Sequence, residues 1–74
     1  MDSAMAVQRA VVIEILPSAA YRVELGSRRQ VVAHLAPAVQ RNFVRLRVRD
    51  EVEVELALED PARGRIVKVV RSRD

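Results

Sequence analysis

The sequence predicts an all-β domain, a five-stranded antiparallel Greek-key barrel with one short helical turn between its third and fourth strands. Three observations carry that expectation. Apolar residues recur with a period of two, as in Tyr21, Val23 and Leu25 against Arg22 and Glu24. The same alternation sets Val52, Val54, Leu56 and Leu58 against Glu51, Glu53, Glu55 and Ala57, the pattern of strands with one buried face. Turn signals separate the runs at short intervals. Half of the 74 residues are hydrophobic but only Tyr21 and Phe43 are aromatic, so the core must come from Val, Ile, Leu and Ala. A chain this short makes one small domain over residues 1–74, burying only ~60% of its unfolded surface.

Met1 to Met5 reads as a frayed tail, with order expected over about residues 7–70. The first strand runs from about Val7 to Leu16 and stops at the turn signal Pro17-Ser18. Tyr21 to Leu25 forms the second, followed by the polar turn Gly26-Ser27-Arg28-Arg29 and a third strand from Gln30 to His34. Ala36 to Phe43 breaks the alternation. Pro37 suits a first helical position, and Ala, Gln and Arg favour helix, so a single helical turn is expected there. The fourth strand covers Glu51 to Leu58 and the fifth about Gly64 to Val70, with Ser72 to Asp74 a second frayed tail. Five strands with a helix between the third and fourth is the layout of the oligonucleotide-binding fold, a partly open barrel.

Charge is segregated along the chain although the formal net charge is only +3. Residues 41–49 hold four arginines and no acid, residues 50–60 hold six acids and no base, and residues 63–73 hold five bases. Segregated charge can build a local positive potential for a polyanion, although a solvated surface can carry the same blocks. Twelve of the thirteen bases are Arg, whose planar fork matches phosphate; codon bias would leave the same mark.

Other chemistries find little material. The chain has no cysteine, which removes disulfides, thiolate metal sites and cysteine nucleophiles and fits a reducing compartment. No apolar run approaches the ~18 residues of a membrane span, and Met1-Asp2-Ser3 lacks a basic signal region, so a cytoplasmic location away from membranes is expected. His34 is the one histidine, the serines lie in turns or tails, and Gly26 and Gly64 cannot make a glycine-rich phosphate loop. The expectation is a protein without catalysis, cofactor or metal.

Binding has more material. Arg41, Arg45, Arg47 and Arg49 come from the helix and the segment entering strand four, and Arg63, Arg65, Lys68 and Arg71 come from strand five and its approach. On a barrel these two blocks are expected to meet at one rim, with the acids of strand four facing away as a solvated back. Phe43 and Tyr21 could stack on bases or plug the core. So few aromatics favour backbone contact with structured RNA over base stacking.

Several segments resemble the bacterial translation initiation factor one family, in the family's order and without evident gaps from about Gln8 to Val67. They are Glu14-Ile15-Leu16-Pro17, Tyr21-Arg22-Val23-Glu24-Leu25, Val31-Val32-Ala33-His34-Leu35, Arg41-Asn42-Phe43-Val44-Arg45-Leu46, Asp50-Glu51-Val52-Glu53-Val54-Glu55-Leu56 and Arg63-Gly64-Arg65-Ile66-Val67. The resemblance implies a monomeric, cytoplasmic, non-enzymatic protein of the oligonucleotide-binding fold. It implies binding at the aminoacyl-tRNA site of the small ribosomal subunit, beside decoding-centre ribosomal RNA and a ribosomal protein, in concert with initiation factors two and three. Arg45 matches the arginine after the family's Asn-aromatic-aliphatic triplet, which approaches the decoding helix. Arg41 and Asn42 match its polar helix-end residues, Arg63 and Arg65 the bases around the loop glycine, and His34 the histidine closing strand three.

The chain also departs from the family pattern. Ala36-Pro37-Ala38-Val39-Gln40 stands where Ser-Gly-Lys-Met-Arg is common, which removes two positive charges. Ala10 replaces a glycine, Glu59 a tyrosine and Val69 a base. Arg49 replaces the usual Gly before Asp50, so that turn must differ or be strained. Arg47, Arg49, Arg71 and Arg73 return charge at shifted positions. Two other readings fit the residues: a cold-shock or S1-like RNA-binding module acting off the ribosome, and a protein-interaction module that uses the acidic fourth strand.

Overall fold

The alternating runs become five strands in the computed structural model, which describes residues 5–41, 45–57, 60 and 62–71. β1 spans Met5–Leu16, β2 Ala20–Leu25, β3 Gln30–Leu35, β4 Glu51–Ala57 and β5 Arg63–Arg71, with helix α1 at Pro37–Arg41. Met5 therefore belongs to β1; residues 1–4 and 72–74, expected to fray, lie outside the described residues. Leu58, expected to end strand four, also lies outside them.

The strands close a barrel in the order β1-β2-β3-β5-β4. The expected fold class holds and two of its details are corrected: the barrel is closed rather than partly open, and one of its strand pairs is parallel. β3 and β5 run in the same direction, with Val32 opposite Arg63 and Leu35 opposite Ile66. The reason is arithmetic. A ring of five strands cannot alternate direction at every step, so one neighbouring pair must run the same way.

Closure depends on β1 serving two partners. Its first half pairs with β4 from Met5 to Val11, and its second half pairs with β2 from Ala10 to Leu16. The register slips between Val12 and Glu14, and a bulge of this kind bends and twists a strand around a corner. The inward residues form one apolar cluster that includes Val12, Val23, Val31, Val52, Val54 and Ile66. Leu46, only 1% exposed, joins them from the segment between α1 and β4.

Gly64 lies in an inward row, with Ala33 beside it on β3 and Leu56 on β4. A Cβ at this position would stand 2.6 Å from Val54 Cγ1, 3.1 Å from Leu56 Cδ2 and 3.2 Å from the Glu55 carbonyl oxygen. There is no room for it without moving the core of β4. Gly64→Ala is therefore expected to cost about 1–3 kcal/mol, the usual penalty of overpacking. Urea denaturation checks this, and an unchanged midpoint would mean that Val54 swings aside freely.

Arginines occupy two tight turns that would suit glycine better. The Asp50 N–H donates to the Arg47 carbonyl at 3.0 Å, which closes a turn whose third residue, Arg49, has φ 87°. That is the type II pattern, where glycine is favoured. The turn is held firmly: Arg49 N–H donates to Val12 O at 2.7 Å, Val12 N–H to Asp50 O at 3.0 Å, and Arg47 N–H to Asp50 Oδ2 at 2.9 Å. Between β2 and β3, Arg28 N–H donates to Leu25 O at 2.9 Å and Leu25 N–H to Arg29 O at 2.8 Å. This is a three-residue hairpin loop whose last member takes the left-handed conformation. Arg28 occupies that position with φ 76°, while Gly26 sits two residues too early to use its freedom.

Candidate nucleic-acid interface

The outward residues of β4 meet bases on both sides. Strand register aligns Val7, Glu55 and Arg65 in one row, Arg9, Glu53 and Lys68 in the next, and Val11, Glu51 and Arg71 in the third. Arg9 pairs with Glu51 at 3.6 Å and Arg65 with Glu55 at 4.0 Å. The acidic strand is thus no separate back of the molecule. It lies between Arg9 on β1 and Arg65 and Lys68 on β5, because neighbouring strands sit only ~4.8 Å apart and register decides which charges meet.

On the far side of β5 a second outward group forms across β2, β3 and β5. His34 is the parallel partner of Arg65, and Val32 stands between Arg22 and Arg63. His34, Arg63 and Arg65 are exposed. Their charge is partly answered within the chain: Arg63 approaches Asp60 at 3.7 Å, and Arg22 Nε donates to Glu14 Oε1 at 3.0 Å. Such exposed pairs contribute ~0–1 kcal/mol to stability, yet each offsets a charge that a polyanion would otherwise find free.

Six other arginines are uncompensated among the described residues. Arg28, Arg29, Arg41, Arg45, Arg47 and Arg49 are all exposed, and among the described residues none has a carboxylate within 4.0 Å. Asp50, the acid nearest in sequence, is 5% exposed and spends its carboxylate on the Arg47 backbone N–H. Arg41 ends α1, a helix held beside β5 by Ala36 N–H donating to Ile66 O at 2.9 Å.

The expectation of a single basic rim is corrected. Arg47 and Arg49 lead into the start of β4, whereas Arg65 stands opposite Glu55 near its end. Between the start of β4 and Glu55 the strand runs ~13 Å at ~3.3 Å per residue. The third charge block is split as well, since the backbone of Arg71 pairs with Glu51 at the Arg49 end.

Tyr21 is a further correction. It is 8% exposed within the core cluster, because its strand position faces inward, and so its ring offers no face to a base. Asn42 and Phe43 lie outside the described residues. Arg22 was not among the residues expected at the interface, although its parity on β2 already placed it outward. Arg28 and Arg29 were expected only to make a polar turn. Two open grooves lie on the surface. One of about 530 Å³ is lined by residues that include Arg9, Arg28, Glu24 and Glu51, and one of about 160 Å³ by Glu55, Arg63, Gly64 and Arg65 among others. Among the described residues no group of three or more acids or histidines could hold a metal ion, and no helix is long and apolar enough to cross a membrane.

No family model matches the chain. Its fold is similar to the solution structure of translation initiation factor one from the Wolbachia endosymbiont strain TRS of Brugia malayi. The two share 27% identity and a TM-score of 0.75 over 93% of this chain and 82% of that one. It is also similar to YjeQ from Thermotoga maritima, at 20% identity and a TM-score of 0.70 over 89% of this chain. The matched part is 23% of YjeQ, so that likeness is one of fold. A closed five-stranded barrel with its helix between β3 and β4, matching an initiation factor across nearly its whole length, makes this chain a small oligonucleotide-binding-fold protein like initiation factor one.

Proposed function

We propose that this chain is a translation initiation factor that binds the small ribosomal subunit at the aminoacyl-tRNA site through contacts with decoding-region ribosomal RNA. The observation that carries the reading is the likeness to translation initiation factor one over most of both chains. Support comes from the exposed, uncompensated arginines at positions 41, 45, 47 and 49, since phosphate attraction dominates the affinity of such proteins for RNA. The action is occupancy rather than catalysis. Arginines hold backbone phosphates, and the closed barrel blocks early tRNA entry. A neighbouring ribosomal protein and initiation factors two and three complete the assembly in the cytoplasm, with the factor acting as a monomer and without a cofactor.

Sedimentation with purified small subunits, with and without factors two and three, followed by chemical footprinting of the RNA, tests the reading. Protection at the decoding helix is expected, and its absence would defeat the proposal. Affinity should also fall steeply with salt. If about five phosphates are neutralised, log K drops against log salt with a slope of about −3 to −5. A flat response would remove the phosphate mechanism. An RNA module acting off the ribosome would instead bind free single strands as tightly as subunits. The protein-docking reading of the acidic strand has lost ground, because Glu51 and Glu55 already face Arg9 and Arg65.

A further inference from the structure

We infer that Glu51 and Glu53 determine specificity by silencing a latent RNA-binding face on the outer side of β1, β4 and β5. Without them Arg9 and Lys68 would hold the phosphates of any RNA. The inference rests on the RNA-binding reading above and adds the residues that keep this face out of the binding. Its first support is register. Arg9 on β1 and Lys68 on β5 stand opposite Glu53 from either side of β4, and Arg9 also reaches Glu51 at 3.6 Å. Opposed residues on neighbouring strands lie ~5 Å apart. Each base therefore has a carboxylate inside the ~8 Å screening length of physiological salt.

The second support is exposure. Arg9 and Lys68 are exposed, so no packing hides them from a polyanion. Their backbones lie two strand spacings apart across β4, ~10 Å, which sets both on one patch. Glu51 and Glu53 are half-buried on the strand between them. With those two carboxylates neutral, both bases would stand free on the same patch.

Selective placement is the third support. Among the described residues, carboxylates stand against the strand bases and are withheld from Arg45, Arg47 and Arg49, which have none within 4.0 Å. Asp50 follows that segment directly, yet it is buried and its carboxylate accepts from the Arg47 backbone N–H. Exposed ion pairs add little to stability, whereas a carboxylate beside a base both occupies it and repels a phosphate. Specificity is a difference of affinities. Weakening attachment to the wrong RNA raises it as surely as tightening the right one.

E51Q/E53Q tests this against a poly(A)·poly(U) duplex and against purified small subunits. Glutamine keeps the size of the side chain, so the melting temperature should fall by no more than ~8 °C. Affinity for the duplex should rise about fivefold, with a salt slope steeper by about one to two. Affinity for subunits should stay within about twofold, so the preference for subunits narrows. R9A/K68A separates freed bases from the change in net charge. It should be nearly silent in the unmodified chain and cancel the gain in the E51Q/E53Q background, whereas net charge alone acts equally in both. Equal effects in the two backgrounds, or an unchanged duplex affinity in E51Q/E53Q, would overturn the silenced face. A rise on subunits as large as that on the duplex would overturn its role in specificity. Failure of the unmodified chain to bind subunits, with the duplex results as expected, would defeat the ribosomal function and leave the silenced face standing.

Discussion

Leu46→Ala is expected to destabilise the fold by about 2–5 kcal/mol, the range for truncating a buried leucine whose cavity cannot collapse. Leu46 is 1% exposed and, among the described residues, is the one member of the core cluster that comes from outside the five strands. Its surroundings cannot close over the loss, because the walls are β-strands already locked into a closed ring. A domain of this size is stable by only ~4–11 kcal/mol, so the variant should be marginal at body temperature. Chemical denaturation measures the effect. A cost below about 1 kcal/mol would show that Leu46 covers the barrel rather than fills it. The substitution also reaches the interface, since Arg45 and Arg47 flank Leu46 in sequence and are positioned by its burial.

R45E/R47E should lower affinity for the small subunit by on the order of 100-fold or more, since each reversal deletes a phosphate contact and adds a repulsion. Thermal stability should fall by no more than about 1 kcal/mol, because both side chains are exposed, although R47E sets a new acid in the turn that the Asp50 carboxylate holds. Both side chains are exposed and neither has a carboxylate partner among the described residues. This makes the pair a cleaner probe than Arg63 and Arg65. Reversing those two would also set new acids beside Asp60 and Glu55, and lost stability would blur lost binding. Equilibrium binding and a melting curve on the same preparation check both halves. Wild-type affinity in the variant would remove this loop from the RNA interface.

How far the candidate site could be read from the chain differs from residue to residue. His34 and Arg65 were expected on separate elements, and the parallel pairing of β3 with β5 makes them neighbours. An odd number of strands in a closed ring requires one such seam, but the strand count alone does not place it between β3 and β5. Tyr21 was legible, because Val23 and Leu25 share its parity and are buried. The strain at Arg49 was anticipated from a missing glycine, and φ of 87° bears this out. Arg28 was not anticipated, since the sequence marked residues 26–29 only as a polar turn. Only the hydrogen bonds between Leu25, Arg28 and Arg29 reveal which residue must turn left-handed.

The charge blocks mark the boundary between the two levels. The period of two, the five strands, the helix position and the outward residues of β4 are all written in the order of residues. Those are local properties, set by side-chain alternation and turn chemistry within a few residues. It took the closed barrel to flank the acids with Arg9, Arg65 and Lys68, leaving Arg28, Arg45, Arg47 and Arg49 without partners among the described residues. The reason is that ion pairing acts across strands. Register sets those neighbours, and register here slips at Val12/Glu14, Glu51/Val52 and Glu53/Val54. A slip of one residue exchanges every cross-strand partner beyond it, and nothing in the order of residues along a single strand records that choice.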